Sequence, residues 1–226
     1  MVTNKQLPFD LNNNSTYERD NFFISSSNKE AISWIDKWPD WGSPSILIII
    51  GATASGKTHL AKIWQQEKNA IEININNIEA QNLELLDIDK PNIVIDDINK
   101  ISGDSNKEQA LFHIYNIVKE NQGSLLLTTN NPIKDCGFNL ADLNSRLRAA
   151  TTSTILPPDE EMMAIMLTKI FSDKQLLISQ DVIKYIIPRI ERSFKAISDL
   201  SEKIDYKSLT EKKSVTIPFV KSILED

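Results

Sequence analysis

Apolar positions along this chain follow one rhythm up to about residue 156 and another after it. In the first stretch, short unbroken apolar runs alternate with longer amphipathic ones. Ile46-Leu47-Ile48-Ile49-Ile50 is apolar at every position, the pattern of a parallel strand covered on both faces. Residues 71–75 alternate as a second strand, 92–96 and 124–128 are further apolar runs, and 152–156 is the last. Between these runs the helical period appears. Residues 27–38 place Ala31, Trp34, Ile35 and Trp38 on one side, with Ser27 and Glu30 spaced to cap the start. Residues 57–66 form a second helix. Ser105 and Glu108 form a capping box for a third, whose stripe is Leu111, Ile114, Tyr115 and Val118 and which Gly123 ends. A short helix covers 142–150. Strands alternating with helices predict an α/β fold with a parallel sheet flanked by helices. After Pro157-Pro158 the strands stop, and 159–173, 180–187, 192–204 and 217–224 all read as helix. The expected organisation is a flexible tail over 1–16, an α/β domain over 17–156 and a small all-helical domain over 157–226.

Composition narrows the class without naming it. Of 226 residues, 41% are hydrophobic and 25% charged, ordinary values for a water-soluble globular chain. The net charge of -6 argues against a broad surface that tracks nucleic-acid phosphates, so little or no direct nucleic-acid binding is expected. The single cysteine, Cys136, excludes an intrachain disulfide and fits a reducing compartment. Residues 1–9 lack the apolar run of a signal peptide, and the longest apolar run, 46–50, is too short to span a bilayer. A cytoplasmic protein with no membrane role is expected.

The chemistry gathers where predicted strands end, which is where open α/β sheets bind ligands. Gly51-Ala52-Thr53-Ala54-Ser55-Gly56-Lys57-Thr58 follows the first strand at once and opens a helix. Its spacing is that of a phosphate-binding P-loop. Gly51 and Gly56 let the backbone turn successive N–H groups, those of Ala54 and Ser55 among them, toward a phosphate. Lys57 supplies a point charge to the β- and γ-phosphates, and the Thr58 hydroxyl can ligate Mg²⁺. A chance match in a glycine turn would lack the strand before and the helix after. Asp96-Asp97 closes the third strand at the Walker B position: Asp96 serves Mg²⁺, and Asp97 can polarise an attacking water. Standing alone, the same pair would read as a solvated strand end. Asn130, just past the fourth strand, is placed to reach a γ-phosphate or its attacking water, although Asn130-Asn131-Pro132 is also a turn signal. Leu143 and Leu147 face inward on the short helix, which displaces Arg146 toward solvent. Arg146 is either a solvated surface charge or an arginine finger acting on a nucleotide across an interface. His59, His113 and Cys136 show no metal-ligand spacing; only His59, adjoining the P-loop, is grouped with the nucleotide-binding residues.

In this order, P-loop, Asp-Asp, Thr-Asn, Ser145-Arg146-Leu147 and a helical end, the chain resembles the AAA+ ATPases. More narrowly it is similar to the ATPase core of the bacterial replication initiator DnaA, over about residues 18–210. Asp20-Asn21-Phe22-Phe23-Ile24, followed by Ser27-Asn28, resembles that family's segment running past the adenine, which implies Phe22 at the base. Ser25-Ser26 stands where the family usually has Gly-Pro. Ile95-Asp96-Asp97-Ile98 is similar to its Walker B, and Pro157-Pro158-Asp159 to the start of its lid. The resemblance also implies a lid residue that senses phosphate, usually arginine. Here the register falls on Lys195, which lacks arginine's bidentate geometry, with Arg192 as the alternative one turn away. Slow turnover of bound nucleotide would follow, with ADP and ATP both open as the resident form.

The tail separates the members of the family. Gln6-Leu7-Pro8-Phe9-Asp10-Leu11 is similar to the sliding-clamp-binding peptide of Hda-type regulators, DnaA homologues that inactivate the initiator. Leu7, Phe9 and Leu11 would enter an apolar groove and the Gln6 amide would make a directional hydrogen bond. Pro8 keeps the segment extended and lowers its ordering cost. The resemblance thus implies two partners, the DNA polymerase III sliding clamp and DnaA. A homodimer or higher oligomer is also expected. The competing classes are a helicase loader or DNA-bound initiator fragment, which the acidic balance disfavours, and a small-molecule P-loop kinase. A kinase would need an Arg-rich lid, but residues 157–171 hold one Lys and no Arg.

Overall fold

The computed structural model describes residues 19, 22–78 and 89–225. Its centre is a five-stranded parallel sheet in the order β2-β3-β4-β1-β5. The strands are β1 (Ser45–Gly51), β2 (Ile71–Glu72), β3 (Asn92–Ile95), β4 (Ser124–Thr129) and β5 (Thr151–Ile155). β1 pairs with β4 on one side and β5 on the other, so it is interior to the sheet. That position explains its unbroken apolar sequence. Ile46 and Ile48 point into one core and Leu47 and Ile49 into the other, all with at most 1% exposure. Burying each such side chain contributes roughly 1.5–3 kcal/mol.

The first core is closed by α3 (Ser105–Glu120) and α4 (Ala141–Ala149), through Leu111, Ile114, Leu143 and Leu147. The second is closed by α1 (Lys29–Asp36) and α2 (Lys57–Lys68), through Ala31, Ile35, Leu60 and Trp64. The C-terminal end is helical: α5 (Glu160–Asp173), α6 (Gln180–Ile186), α7 (Phe194–Glu211) and α8 (Ile217–Leu224). These helices share a separate core around Met163, Leu167, Ile183, Ile197 and Val220. Met162 and Phe194 are exceptions, because they pack into the second core of the α/β part. No helix among the described residues is long and apolar enough to cross a membrane.

Several local expectations shift, each for a physical reason. α1 begins after Asn28 with no side-chain cap, because the Ser27 hydroxyl pairs with Ser25 at 2.8 Å. Its buried face is Ala31, Ile32 and Ile35, with Trp34 and Trp38 only half-buried. β2 stops at Glu72 because Asn74 Oδ1 accepts from the Asn76 N–H at 2.9 Å, an Asx turn that bends the chain away. The cap of α3 is Asp104 in place of Ser105; its carboxylate accepts from the N–H groups of Asn106 and Lys107. Glu108 does more than close a capping box. Its carboxylate is fully buried and accepts from the N–H groups of Gly103, Asn139 and Leu140. α7 starts two residues later than the pattern suggests, because Ser193 caps it by accepting from Ala196 N at 3.1 Å, and it runs on to Glu211.

Candidate functional site

The P-loop joins the end of β1 to α2 and lies at the carboxyl edge of the sheet, beside the ends of β3 and β4. Its glycines are dictated by space and conformation. A Cβ on Gly51 would stand 2.6 Å from Ser55 Oγ and 3.2 Å from Ile155 Cβ. Gly56 has φ +91°, and a Cβ there would stand 3.3 Å from the Phe22 ring. The Ser55 hydroxyl is buried with no hydrogen-bond partner, inside the loop. The N–H groups of the first turn of α2 and its dipole face the same space, a setting that favours an anion. Lys57 opens α2, is 5% exposed, and donates from Nζ to Ala52 O at 3.0 Å. Burial pushes its pKa below the ordinary lysine value, against the pull of Asp97 and Asp96. A phosphate at the loop would supply the counter-charge that this buried ammonium lacks.

The acids at the end of β3 are held by neighbouring elements. Asp96 Oδ2 accepts from Thr58 Oγ1 at 2.7 Å, and Oδ1 accepts from Thr128 Oγ1 at 2.5 Å. Thr128 also takes the Asp97 N–H at 2.8 Å. Asp97 sits in the left-handed region with φ 56°, and its carboxylate meets Lys100 Nζ at 2.7 Å. Asn130 is tied to the same turn, donating its N–H to Asn99 Oδ1 at 3.1 Å. The structure therefore brings Lys57, Thr58, Asp96, Asp97 and the Asn130 segment to one edge. Thr128, Asn99 and Lys100 complete this network and were not anticipated; a threonine in a leucine-rich strand, two residues before Asn130, is the signal for the first.

Beside the P-loop lies a cavity of about 170 Å³, lined by Phe22, Gly56, His59, Met162, Met166 and Phe194 among others. The Phe22 and His59 rings meet edge to face, 5.1 Å apart. Phe22 is placed by Asn28, which is buried, accepts from Ser25 N at 2.9 Å and donates to Phe23 O at 2.7 Å. The lid is tied to this segment: Ser26 Oγ donates to Asp159 at 2.6 Å, and Asp159 in turn caps α5 through Met162 N. Those two hydrogen bonds hold the Asp159 carboxyl below the ordinary carboxylate range. Lys195 is exposed on the first turn of α7 and does not line the cavity, whereas its neighbour Phe194 and Lys169 of α5 do. Arg192 is ion-paired with Glu160. A wider groove of about 630 Å³, lined by Leu177, Val182, Val215 and Ile217 among others, lies on the helical end and shares no residue with the P-loop edge.

Arg146 departs from the expectation that it is displaced into solvent. It is half-buried against α3, where Nη1 donates to Asn116 Oδ1 at 2.6 Å. Its guanidinium also lies over the Phe112 ring at 4.7 Å and the Tyr115 ring at 5.3 Å. The three partners recur at helical spacing, so α3 offers a shelf on which the guanidinium rests with donors to spare. Leu143 and Leu147 face inward as expected. Burial pushes the half-buried Cys136 thiol up, against the opposing pull of its hydrogen bond with Thr129. The tail residues Gln6, Leu7, Phe9 and Leu11 lie outside the described residues.

Comparison with known proteins places this geometry. Residues 159–224 match the family model for the lid domain of Hda. Domain III of the replication initiation protein DnaA from Thermotoga maritima is similar over 94% of this chain and 97% of its own, at 18% identity and a TM-score of 0.75. AMPPCP-bound DnaA from Aquifex aeolicus is similar over 87% of this chain and 67% of its own, at 17% identity and a TM-score of 0.69. A Thermotoga maritima RuvB variant matches over 90% of this chain and 70% of its own, at 14% identity and a TM-score of 0.66. The fold is thus that of the AAA+ proteins, with a helical C-terminal lid.

Proposed function

We propose that this chain, a DnaA-related AAA+ protein with an Hda-type lid, regulates replication initiation by stimulating ATP hydrolysis on DnaA. The observation that carries the reading is the Hda lid match over residues 159–224, on a core of the DnaA type with its P-loop edge intact. In this reading residues 6–11 dock the chain on the sliding clamp, and the docked chain meets ATP-bound DnaA. Arg146 then reaches the nucleotide of DnaA and completes its hydrolytic site. A guanidinium supplied in trans stabilises charge on the transferring phosphoryl group and accelerates such reactions by roughly 10³–10⁵. The initiator passes to its ADP form and reinitiation is suppressed.

The chain's own P-loop is suited to hold ADP or ATP. Gly51 and Gly56 keep the cradle clear, the N-terminus of α2 faces it, and Lys57 awaits an anion. Phe22 and the lid face the adjoining cavity, which fits the base. Thr58 and Asp96 bring hard oxygen donors together at 2.7 Å, the donor type that Mg²⁺ takes. Bound there, Mg²⁺ would neutralise β- and γ-phosphate charge. Lys195 or Arg192 is the lid residue nearest in sequence to a phosphate-sensing role, and Asn130 and Asp97 are the residues for γ-phosphate and water. Own turnover is weak, and assembly into a dimer or larger oligomer would set Arg146 against a neighbour.

The test is ATP hydrolysis by DnaA in the presence of DNA-loaded clamp, with and without this chain. Stimulation that persists undiminished in Arg146→Ala would overturn the finger. Clamp binding that survives Gln6→Ala combined with Phe9→Ala would overturn the tail assignment.

A further inference from the structure

Asp96 and Asp97 are neighbours in sequence, yet their carboxylates meet different chemistry. Asp96 accepts from two hydroxyls, Thr58 and Thr128. Asp97 holds an ammonium, with Lys100 Nζ 2.7 Å from its Oδ2. The pair is built by local structure. The Asp97 N–H is fixed to Thr128, and Ile98–Ile101 then forms a 3₁₀ turn. In such a turn, side chains three apart eclipse, which returns Lys100 over Asp97. Ile98 and Ile101 are buried and anchor the turn from below, while the Lys100 side chain keeps 60% exposure.

We propose that Lys100 restrains the chain's own ATP hydrolysis by occupying Asp97, the group placed to polarise the attacking water. The inference rests on the reading of the P-loop as a nucleotide site. In the restrained step, the Asp97 carboxylate accepts a proton from water as the water oxygen bonds the γ-phosphorus. The bond from that phosphorus to the β,γ-bridging oxygen breaks, its electron pair leaves on ADP, and inorganic phosphate is released. With Lys100 Nζ on its Oδ2, the Asp97 carboxylate has one oxygen fewer to orient water. The Lys100 end keeps 60% exposure, against 23% for Asp97, so water screens the ammonium and the effect is bounded: pairs with an exposed partner shift an equilibrium by at most roughly fivefold. Lys100 therefore acts as a brake of modest strength on Asp97.

The experiment compares the full chain with Lys100→Met, Lys100→Arg and the double variant Lys100→Met/Asp97→Asn. Phosphate release with Mg²⁺ and ATP is followed, together with affinity for a fluorescent ADP analogue. Lys100→Met should raise turnover roughly two- to fivefold, the range an exposed pair allows, with ADP affinity unchanged. Lys100→Arg should retain the restraint, and the double variant should lose the gain. No rise, or a fall, in Lys100→Met overturns the inference, as does a rise that persists without Asp97. Absence of nucleotide binding by the parent chain would overturn the P-loop reading and this inference with it. Intact binding with no rise would overturn this inference alone.

Discussion

The acids at the P-loop edge and the guanidinium on the Arg146 shelf are held in opposite ways. At the P-loop edge the acids are already engaged by this chain, Asp96 by two threonines and Asp97 by Lys100, while Lys57 rests on the neutral Ala52 carbonyl and lacks a counter-charge. On the shelf, Arg146 is held by an amide and two aromatic rings, all uncharged. A neutral cradle fixes the guanidinium in place without cancelling its charge, so its field is kept for an outside anion. Acids already held, beside a buried lysine with no counter-charge, suit a nucleotide that is bound, and a charged but immobilised guanidinium suits a reaction carried out on another molecule.

That contrast can be broken at either end. The largest effect is expected at the shelf. Arg146→Ala should cut stimulation of DnaA hydrolysis by roughly 10³, the usual worth of a trans arginine, while ADP affinity of this chain stays the same. A parallel loss of ADP affinity would mean that Arg146 serves its own site. Next is Gly51→Ala, where the added methyl meets Ser55 Oγ at 2.6 Å. Strain of this kind costs about 1–3 kcal/mol, so ADP affinity by titration should fall roughly 5- to 150-fold. Glu108→Gln leaves three backbone N–H groups with poorer acceptors, and chemical unfolding should show a loss of about 1–3 kcal/mol. Asn116→Ala removes the neutral tether alone. Stimulation of DnaA should fall by roughly fivefold, the worth of one hydrogen bond of about 1 kcal/mol, with the unfolding midpoint nearly unchanged.

The smallest effect belongs to the strap between the lid and the Phe22 segment. Asp159 is held below its ordinary value by Ser26 and the Met162 N–H. Its stabilising contribution is therefore complete above the ordinary carboxylate pKa and is lost as pH falls through the lower folded value. Asp159→Asn should flatten that acid limb of a melting-temperature profile and leave the neutral region almost untouched. An unaltered acid limb would show that the bond to Ser26 adds no stability.

Sequence made the sheet and the P-loop plain because both are written in consecutive residues. β1 is apolar throughout since it is buried on two faces, and Gly51 and Gly56 are spaced by a loop that tolerates nothing else. The features that single segments do not carry are built by pairing between distant segments. Thr128 acts on Asp96 and Asp97 only because β4 lies beside β3. On its own helix Arg146 points away from the inward face of Leu143 and Leu147, and α3, distant in sequence, supplies the surface that covers it. Asp104 takes the cap in place of Ser105 because the helix starts one residue earlier, where its carboxylate accepts from the N–H groups of Asn106 and Lys107. The short β2 follows from Asn74, whose side chain competes with the ladder for backbone hydrogen bonds.

Met162 and Phe194 give the lid a share in a core that is not its own. Both also wall the cavity beside the P-loop. Whatever fills that cavity therefore touches the two bodies at once, like a pin through the leaves of a hinge. Its binding free energy is spent partly on fixing the angle between them, so heat should separate the leaves more easily when the pin is withdrawn.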